Sequence, residues 1–251
     1  MKKLLMFVLF LVGVHWSVLG QNKTDAAGRK QGPWIKYQGD GTTPLYTGTF
    51  KDNIPVGEFR YFYPSGKVKM IVKHETKDRS YAWFYSEKED LMSEGQYLKM
   101  KKDSVWKNYA YDGALLSTET YRSDQLHGER KVFYTQGQME TGEIKIYTVE
   151  RYLNNQLDGS FEAYKMSGSL EETGLYVKNL KEGYWYRYYP NGQLLSKIRY
   201  KGGKAVGYSY SYDEKGNEVY KGYWLDGERL NKDELKKYLE KCKKNGTIPE
   251  E

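Results

Sequence analysis

From Gly32 to Leu230 apolar and polar residues alternate in short runs, and each run stops at a turn signal. The stretch Gly183–Tyr200, GYWYRYYPNGQLLSKIRY, shows the pattern most fully. An aromatic-rich run meets Pro190-Asn191-Gly192, and a second apolar run follows and ends on Tyr200. Two period-2 runs on either side of a glycine-containing turn predict one β-hairpin.

Copies of this unit open at Gly32, Gly57, Tyr81, Ser104, Gly128, Gly159, Gly183 and Gly207, so the period is about two dozen residues. Two residues after each opener stand Trp34, Phe59, Trp83, Trp106, Arg130, Phe161, Trp185 and Ser209. Five residues after it stand Tyr37, Phe62, Ser86, Tyr109, Phe133, Tyr164, Tyr188 and Tyr212. Nine after it, seven of eight positions are glycine, the exception being Asp90. Gly closes such turns because it takes positive φ at little cost. Four residues before the next opener, Asn53, Asp124, Asn155, Asn179 and Gly203 mark a second turn at the other end of the hairpin. The expected fold is therefore all-β: an elongated antiparallel meander of about eight hairpins and sixteen strands in one twisted or curved sheet. In a regular strand offsets two and five lie on opposite faces, so both faces should be aromatic-lined unless a bulge intervenes.

Two units depart from the pattern. Unit three carries the charged run Glu87-Lys88-Glu89-Asp90 in its turn and Ser86 at the fifth offset. Unit five holds about seven extra residues within 138–151, and β-prone Ile144-Lys145-Ile146-Tyr147 predicts a longer hairpin there. After Leu230 the period changes: Leu235, Tyr238, Leu239 and Cys242 follow helical spacing over residues 231–245. Asn231 with Glu234 reads as a capping box and Gly246 as a stop, so an amphipathic helix is expected to cap the last hairpin, followed by a tail, 246–251.

Composition adds to this picture. The 26 Tyr and 26 Gly exceed ordinary usage while aliphatics are sparse, so flat rings stacked between hairpins should replace a thick aliphatic core. At the amino terminus Lys2-Lys3, the apolar run Leu4–Val14 and Val18-Leu19-Gly20 read as a signal peptide over residues 1–20. Residues 21–31 then form a polar linker, and 32–230 the repeat domain. Removing Lys2 and Lys3 from the formal charge of +7 leaves +5, spread along the strands rather than clustered. That distribution argues against nucleic acid as a partner. The only cysteine, Cys242, lies at neither a lipoprotein cleavage site nor a disulfide pair, so the expected product is periplasmic or secreted, without a lipid anchor or a membrane-spanning segment.

Chemistry-bearing motifs are scarce. Beyond residue 20 the only histidines are His74, in an aromatic slot, and His127, read as an exposed turn residue. Neither has metal-ligand spacing with Cys242, and there is no P-loop or nucleophile elbow. No catalytic residue, metal or cofactor is expected, and the chain reads as a non-enzyme. The binding candidates are the aromatic slots Trp34, Phe59, Trp83, Trp106, Phe161, Trp185 and Tyr188, whose alternative role is stacking between hairpins.

The unit GYWYRYYPNGQL, with its echo GEFRYFYPSGKV, resembles the MORN-repeat variant family over residues 32 to 230. In bacteria that family is often labelled antitoxin-like and occurs in exported proteins of the Bacteroidetes type. The resemblance implies an elongated sheet of stacked hairpins acting as a binding or scaffolding module. The expected partner is an envelope or secreted protein. The alternative is a glycan or choline-like ligand on the aromatic hairpins, and an antitoxin role against a partner toxin is a third reading.

Overall fold

The computed structural model describes residues 21–250; the predicted signal peptide lies outside them. Eighteen strands form one antiparallel sheet in which successive strands pair in chain order, from Lys23–Thr24 to Glu228–Leu230. Eight hairpins supply sixteen of the strands, and the short first and last strands complete the set. A shorter strand than expected also begins earlier. Residues 21–31, anticipated as a linker, are part of the sheet: Lys23 and Thr24 pair with Gln31 and Lys30, and the strand Lys30–Tyr37 starts inside the stretch. Asn22 fixes this edge, because its side chain both donates to the Ile35 carbonyl and accepts from the Ile35 N–H.

Two irregularities recur in each unit. The first is a bulge at the opener. At six of the seven junctions between units the register shifts there, and Gly57 (φ 68°) and even Ser104 (φ 59°) adopt the left-handed backbone that the bulge needs. The second shift falls near the hairpin turn in all eight units. Each bulge adds local twist, which lets one layer of strands wrap its own side chains.

The ends of the hairpins are stapled from unit to unit. Turns such as Asp52-Asn53, Asn154-Asn155 and Lys178-Asn179 have positive φ at both residues, the signature of a type I′ turn. Their second side chains reach back one unit: Asn53 Oδ1 accepts from Lys30 N, Asp124 Oδ1 from Lys102 N, and Asn179 Oδ1 from Leu157 N, all within 2.6–2.7 Å. At the opposite end tyrosine hydroxyls bridge units, Tyr63 to the Tyr85 carbonyl and Tyr189 to that of Tyr212.

Unit three is out of phase. One residue is missing between His74 and the next unit, the opener bulge is absent, and strands Val68–His74 and Arg79–Tyr85 pair without a register shift. Its true opener is thus Ser80, not Tyr81, and the positive-φ turn residue is Glu89 (φ 71°), not Asp90. Glu89 N donates to Ser86 O as Gly66 N does to Tyr63 O, which confirms the alignment. Unit five also differs from expectation. Its insertion does not lengthen the hairpin but folds into a helical turn, α1 (Gln138–Thr141), before the strand Lys145–Leu153. Buried Gln138 ties this turn to the sheet through Leu115 and Tyr134.

The helix α2 (Lys232–Asn245) starts with the full capping box of Asn231 and Glu234 and ends at left-handed Gly246. It lays Tyr238 on Tyr223, 5.6 Å between centroids, and buries Cys242. Among the described residues no helix is long and apolar enough to cross a membrane.

Candidate functional site

Pairing places the second-offset residues on one side of the sheet, here the ring face. Phe59, Trp106 and Trp185 each lie over a glycine of the preceding strand. A Cβ at Gly48, Gly95 or Gly174 would collide with Phe59, Trp106 or Trp185 respectively. Neighbouring aromatics then close the edges: Trp106 meets Tyr97 edge-on at 5.1 Å and Tyr121 at 6.5 Å, while Trp185 meets Tyr176 at 5.0 Å and Tyr200 at 6.3 Å. Phe59 sits between Phe50, Tyr46 and His74. A lysine two residues before the opener covers the top. Lys30 lies 4.6 Å from the Trp34 ring, Lys102 4.3 Å from Trp106 and Lys181 3.6 Å from Trp185. Indole N–H groups donate to the preceding strand, Trp106 to Gln96 O and Trp185 to Leu175 O. Trp34 belongs to the first unit, whose preceding strand is only Lys23–Thr24, and its Nε1 is buried without a partner.

These cages enclose the candidate rings instead of presenting them. Phe59, Trp106 and Trp185 are at most 3% exposed, and Phe161 stacks on Trp185 at 5.4 Å. In the sequence the floor glycines look like any other strand glycine and lack the fixed turn offsets that mark the rest. His74 occupies an aromatic slot as expected. Its Nε2 is buried and unpaired, and burial holds its pKa below the usual histidine range. His127, expected in an exposed turn, is a half-buried strand residue with Nδ1 3.1 Å from Asn154 Oδ1.

Unit five replaces the ring with a charge cluster. Arg130 takes the ring slot, and both floor positions beside it are carboxylates: Glu119 at 3.2 Å and Glu150 at 3.0 Å. Tyr121 and Tyr152 hydroxyls donate to the same two carboxylates. Burial, followed by the Glu119 bond, raises the Tyr121 pKa. The guanidinium cation and its two carboxylates are satisfied internally, so this cluster reads as a polar substitute for ring packing.

The opposite side is the tyrosine face. Because unit three is shifted by one residue, Ala82 and Phe84 point to the ring face and Trp83 falls on the tyrosine face opposite Glu94. There Trp83 packs on Tyr81 at 4.7 Å, and Tyr109 donates to Glu94 at 2.7 Å. Burial and then the charge of Glu94 push the Tyr81 pKa up to about 12. Burial opposes the charge of Glu94, but the hydrogen bonds from Tyr109 and Lys107 hold its pKa below the usual range.

Units seven and eight give this face its most distinctive surface. Tyr184, Tyr186 and Tyr188 on one strand, and Tyr208, Tyr210 and Tyr212 on the next but one, all occupy alternate positions on this side. The intervening strand contributes Lys197, Arg199 and Lys201. Lys197 sits 4.0 Å from the Tyr184 ring and Lys221 4.2 Å from Tyr208. Among the described residues the hydroxyls of Tyr184, Tyr186, Tyr208 and Tyr210 make no hydrogen bond. Tyr188, the one candidate of the seven from this face besides Trp83, lies at the turn end of the same surface. A separate cleft of about 590 Å³ opens beside the irregular turn of unit three, walled by Tyr63, Phe84, Met92 and Tyr111.

The sequence model of the MORN repeat variant family matches residues 55–74 and 181–201, which are the hairpins of units two and seven. Two of the chain's eight hairpins thus match the MORN repeat variant. The matched hairpins share their layout with the other regular units, and the match fits a repeat protein with a binding surface. No curated protein matches the chain. Among solved structures, TarM is 11% identical over 50% of this chain and 19% of its own, with a TM-score of 0.26. A mutant of S. aureus TarM in complex with Fondaparinux, alpha-GlcNAc-glycerol and UDP gives 10% identity, the same coverage and the same score. The TcdB2-TccC3-Cdc42 structure is 11% identical over 75% of this chain and 12% of that one, with a TM-score of 0.18. The chain thus spans less than a fifth of these proteins' length, and scores this low establish no common fold.

Proposed function

We propose that this chain is a non-enzymatic scaffold that binds a partner protein on the tyrosine face of units seven and eight. One observation carries the reading. The ring face spends its aromatics on its own cages, whereas four tyrosines of the other face keep hydroxyls without an internal partner. Tyrosines that combine a flat apolar ring with a free hydroxyl are favoured anchors in protein interfaces. The choline-like alternative is weakened because lysines of the chain already occupy the cation positions over Trp34, Trp106 and Trp185.

The test is affinity capture from a native cell extract on the immobilised full chain. A retained protein should be lost with the double variant Tyr186→Ala/Tyr210→Ala, while the circular dichroism spectrum and melting temperature stay close to wild type. Retention of polysaccharide without a protein would replace this reading with the glycan alternative. The same proposal has the chain exported, on the basic-then-apolar order of residues 1–20. Fractionation of expressing cells tests that part, and an uncleaved cytoplasmic product would refute it.

A further inference from the structure

We infer that unit three carries, on the ring face, a pocket for a small, neutral, flat aromatic molecule of one or two rings bearing an N–H or O–H donor. The inference goes beyond the scaffold reading and does not depend on it, because it concerns the opposite face and another part of the sheet.

The row of rings has a gap at this unit. Phe59 and Trp106 stand on the strands Ile54–Phe62 and Lys101–Tyr109, and the strand midway between them, Arg79–Tyr85, is where the next ring belongs. The one-residue shift puts Ala82 in that place and sends Trp83 to the other face. Val72, opposite Ala82, takes the floor position that glycine holds beneath Phe59 and Trp106. Valine and alanine together have fewer side-chain atoms than a phenylalanine or a tryptophan, and a cavity of about 280 Å³ remains. Its walls are the edges of the neighbouring cages. Tyr61 and Met70 pack on the Phe59 cluster, and Tyr97 meets Trp106 edge-on. An apolar cavity of about 150 Å³ takes benzene, so this one has room for one or two fused rings.

The lining points to the chemistry of the occupant. Among the described residues no Asp, Glu, Lys or Arg borders the cavity, which favours a neutral molecule. His74 does border it, and its Nε2 is buried with no hydrogen-bond partner. An unpaired buried nitrogen is costly, and a donor on the ligand would satisfy it. Burial lowers the His74 pKa, so the imidazole is neutral at pH 7 and one of its nitrogens can accept. Met100 stands at the mouth, 93% exposed. It holds the second place of the turn Lys99-Met100 (φ 63°), where Asn53, Asp124, Asn155 and Asn179 stand in other turns. A thioether cannot form their staple to the preceding unit, but it is a flexible, polarisable contact for an aromatic ring.

The experiment titrates the full chain, carrying ¹³C-labelled methionine methyls, with indole and with indene, the same bicycle without the N–H. Indole should move the Met70 and Met100 methyl resonances by its ring current and leave those of Met139 and Met166 in place. Indene should bind about fivefold more weakly. His74→Phe keeps a ring and removes the nitrogen, so it should lower the indole affinity to that of indene. Ser80→Leu, which pushes a larger side chain in from the cavity wall, should abolish binding of both while the circular dichroism spectrum stays that of the wild type. The methyl shifts are read on the wild-type chain and decide the matter even where a variant fails to fold. No shift at millimolar indole, shifts spread evenly over the four methionines, or equal affinity for indole and indene would overturn the inference. So would an indole affinity that a folded His74→Phe leaves unchanged.

Discussion

Replacing Gly95 by Ala tests the ring-over-glycine packing at its tightest point. The added methyl group would meet the Trp106 indole at Cδ2, Cε2 and Cγ, well inside contact distance. Carbon atoms need about 3.5–4.0 Å, so the ring must retreat by roughly an ångström or more. That retreat has three consequences. It breaks the 3.0 Å bond from Trp106 Nε1 to Gln96 O, worth ~1 kcal/mol. It loosens the edge-on contact with Tyr97 and the Lys102 cation above the ring, each ~0.5–1 kcal/mol. It also exposes part of a side chain that is 0% exposed. The sum is about 3 kcal/mol, at the upper end of overpacking costs. Urea denaturation followed by circular dichroism and tryptophan fluorescence reads this as a lower midpoint with a red-shifted native spectrum. Gly39→Ala, where the new methyl group has nothing within 4 Å and φ is ordinary, should stay within about 0.5 kcal/mol. In a Trp106→Leu background the Gly95→Ala cost should fall below about 1 kcal/mol, because the colliding ring is gone. An unchanged midpoint for Gly95→Ala, or an equal cost with Leu at position 106, would refute the packing scheme.

Two further substitutions probe the exceptions to the pattern. Arg130→Met leaves Glu119 and Glu150 half-buried and facing each other without their cation, so it should cost about 3 kcal/mol in the same denaturation assay; a neutral result would mean the cluster carries no weight. His74 has a depressed folded-state pKa, so the unfolded chain binds its proton more readily. The stability it contributes is full above the unfolded value near 6.5 and is lost as pH falls below it. Melting temperature should drop between pH 7.5 and 5, and His74→Phe should flatten that drop; an identical slope in the variant would exclude this histidine as the cause.

The sequence displays the parts of the fold that repeat, and conceals those that depend on phase or contact. Gly66, Gly192 and the turn asparagines announce their positions because few other residues tolerate positive φ, and they recur at fixed offsets. The helix was equally legible, since Asn231, Glu234 and Gly246 each have one conformational role. Unit three was misaligned because Tyr81 and Trp83 look like regular aromatic slots. Only pairing shows that the missing residue removed the opener bulge and turned Trp83 to the other face. The floor glycines Gly48, Gly95 and Gly174 were invisible as a class because a strand glycine reads as a weakness until the ring above it is seen. In unit five, Ile144 to Tyr147 suggested strand throughout. The buried Gln138, with bonds to Leu115 and Tyr134, favours a helical turn just before it. Of the candidate rings, five line the ring face as packing elements, and the outward surface is built mainly by tyrosines at offsets one and three that composition alone did not separate.

The proposed function divides packing and partner binding between the two faces, and oxidative footprinting of the full chain with and without its captured partner tests that division. In the free chain Tyr184, Tyr186, Tyr208 and Tyr210 should be modified readily, while Phe59, Trp106 and Trp185 are spared. Addition of the partner should protect those four tyrosines and leave the ring-face residues unchanged. Protection confined to the ring face, with the tyrosines of units seven and eight still reactive in the complex, would show that the partner binds elsewhere.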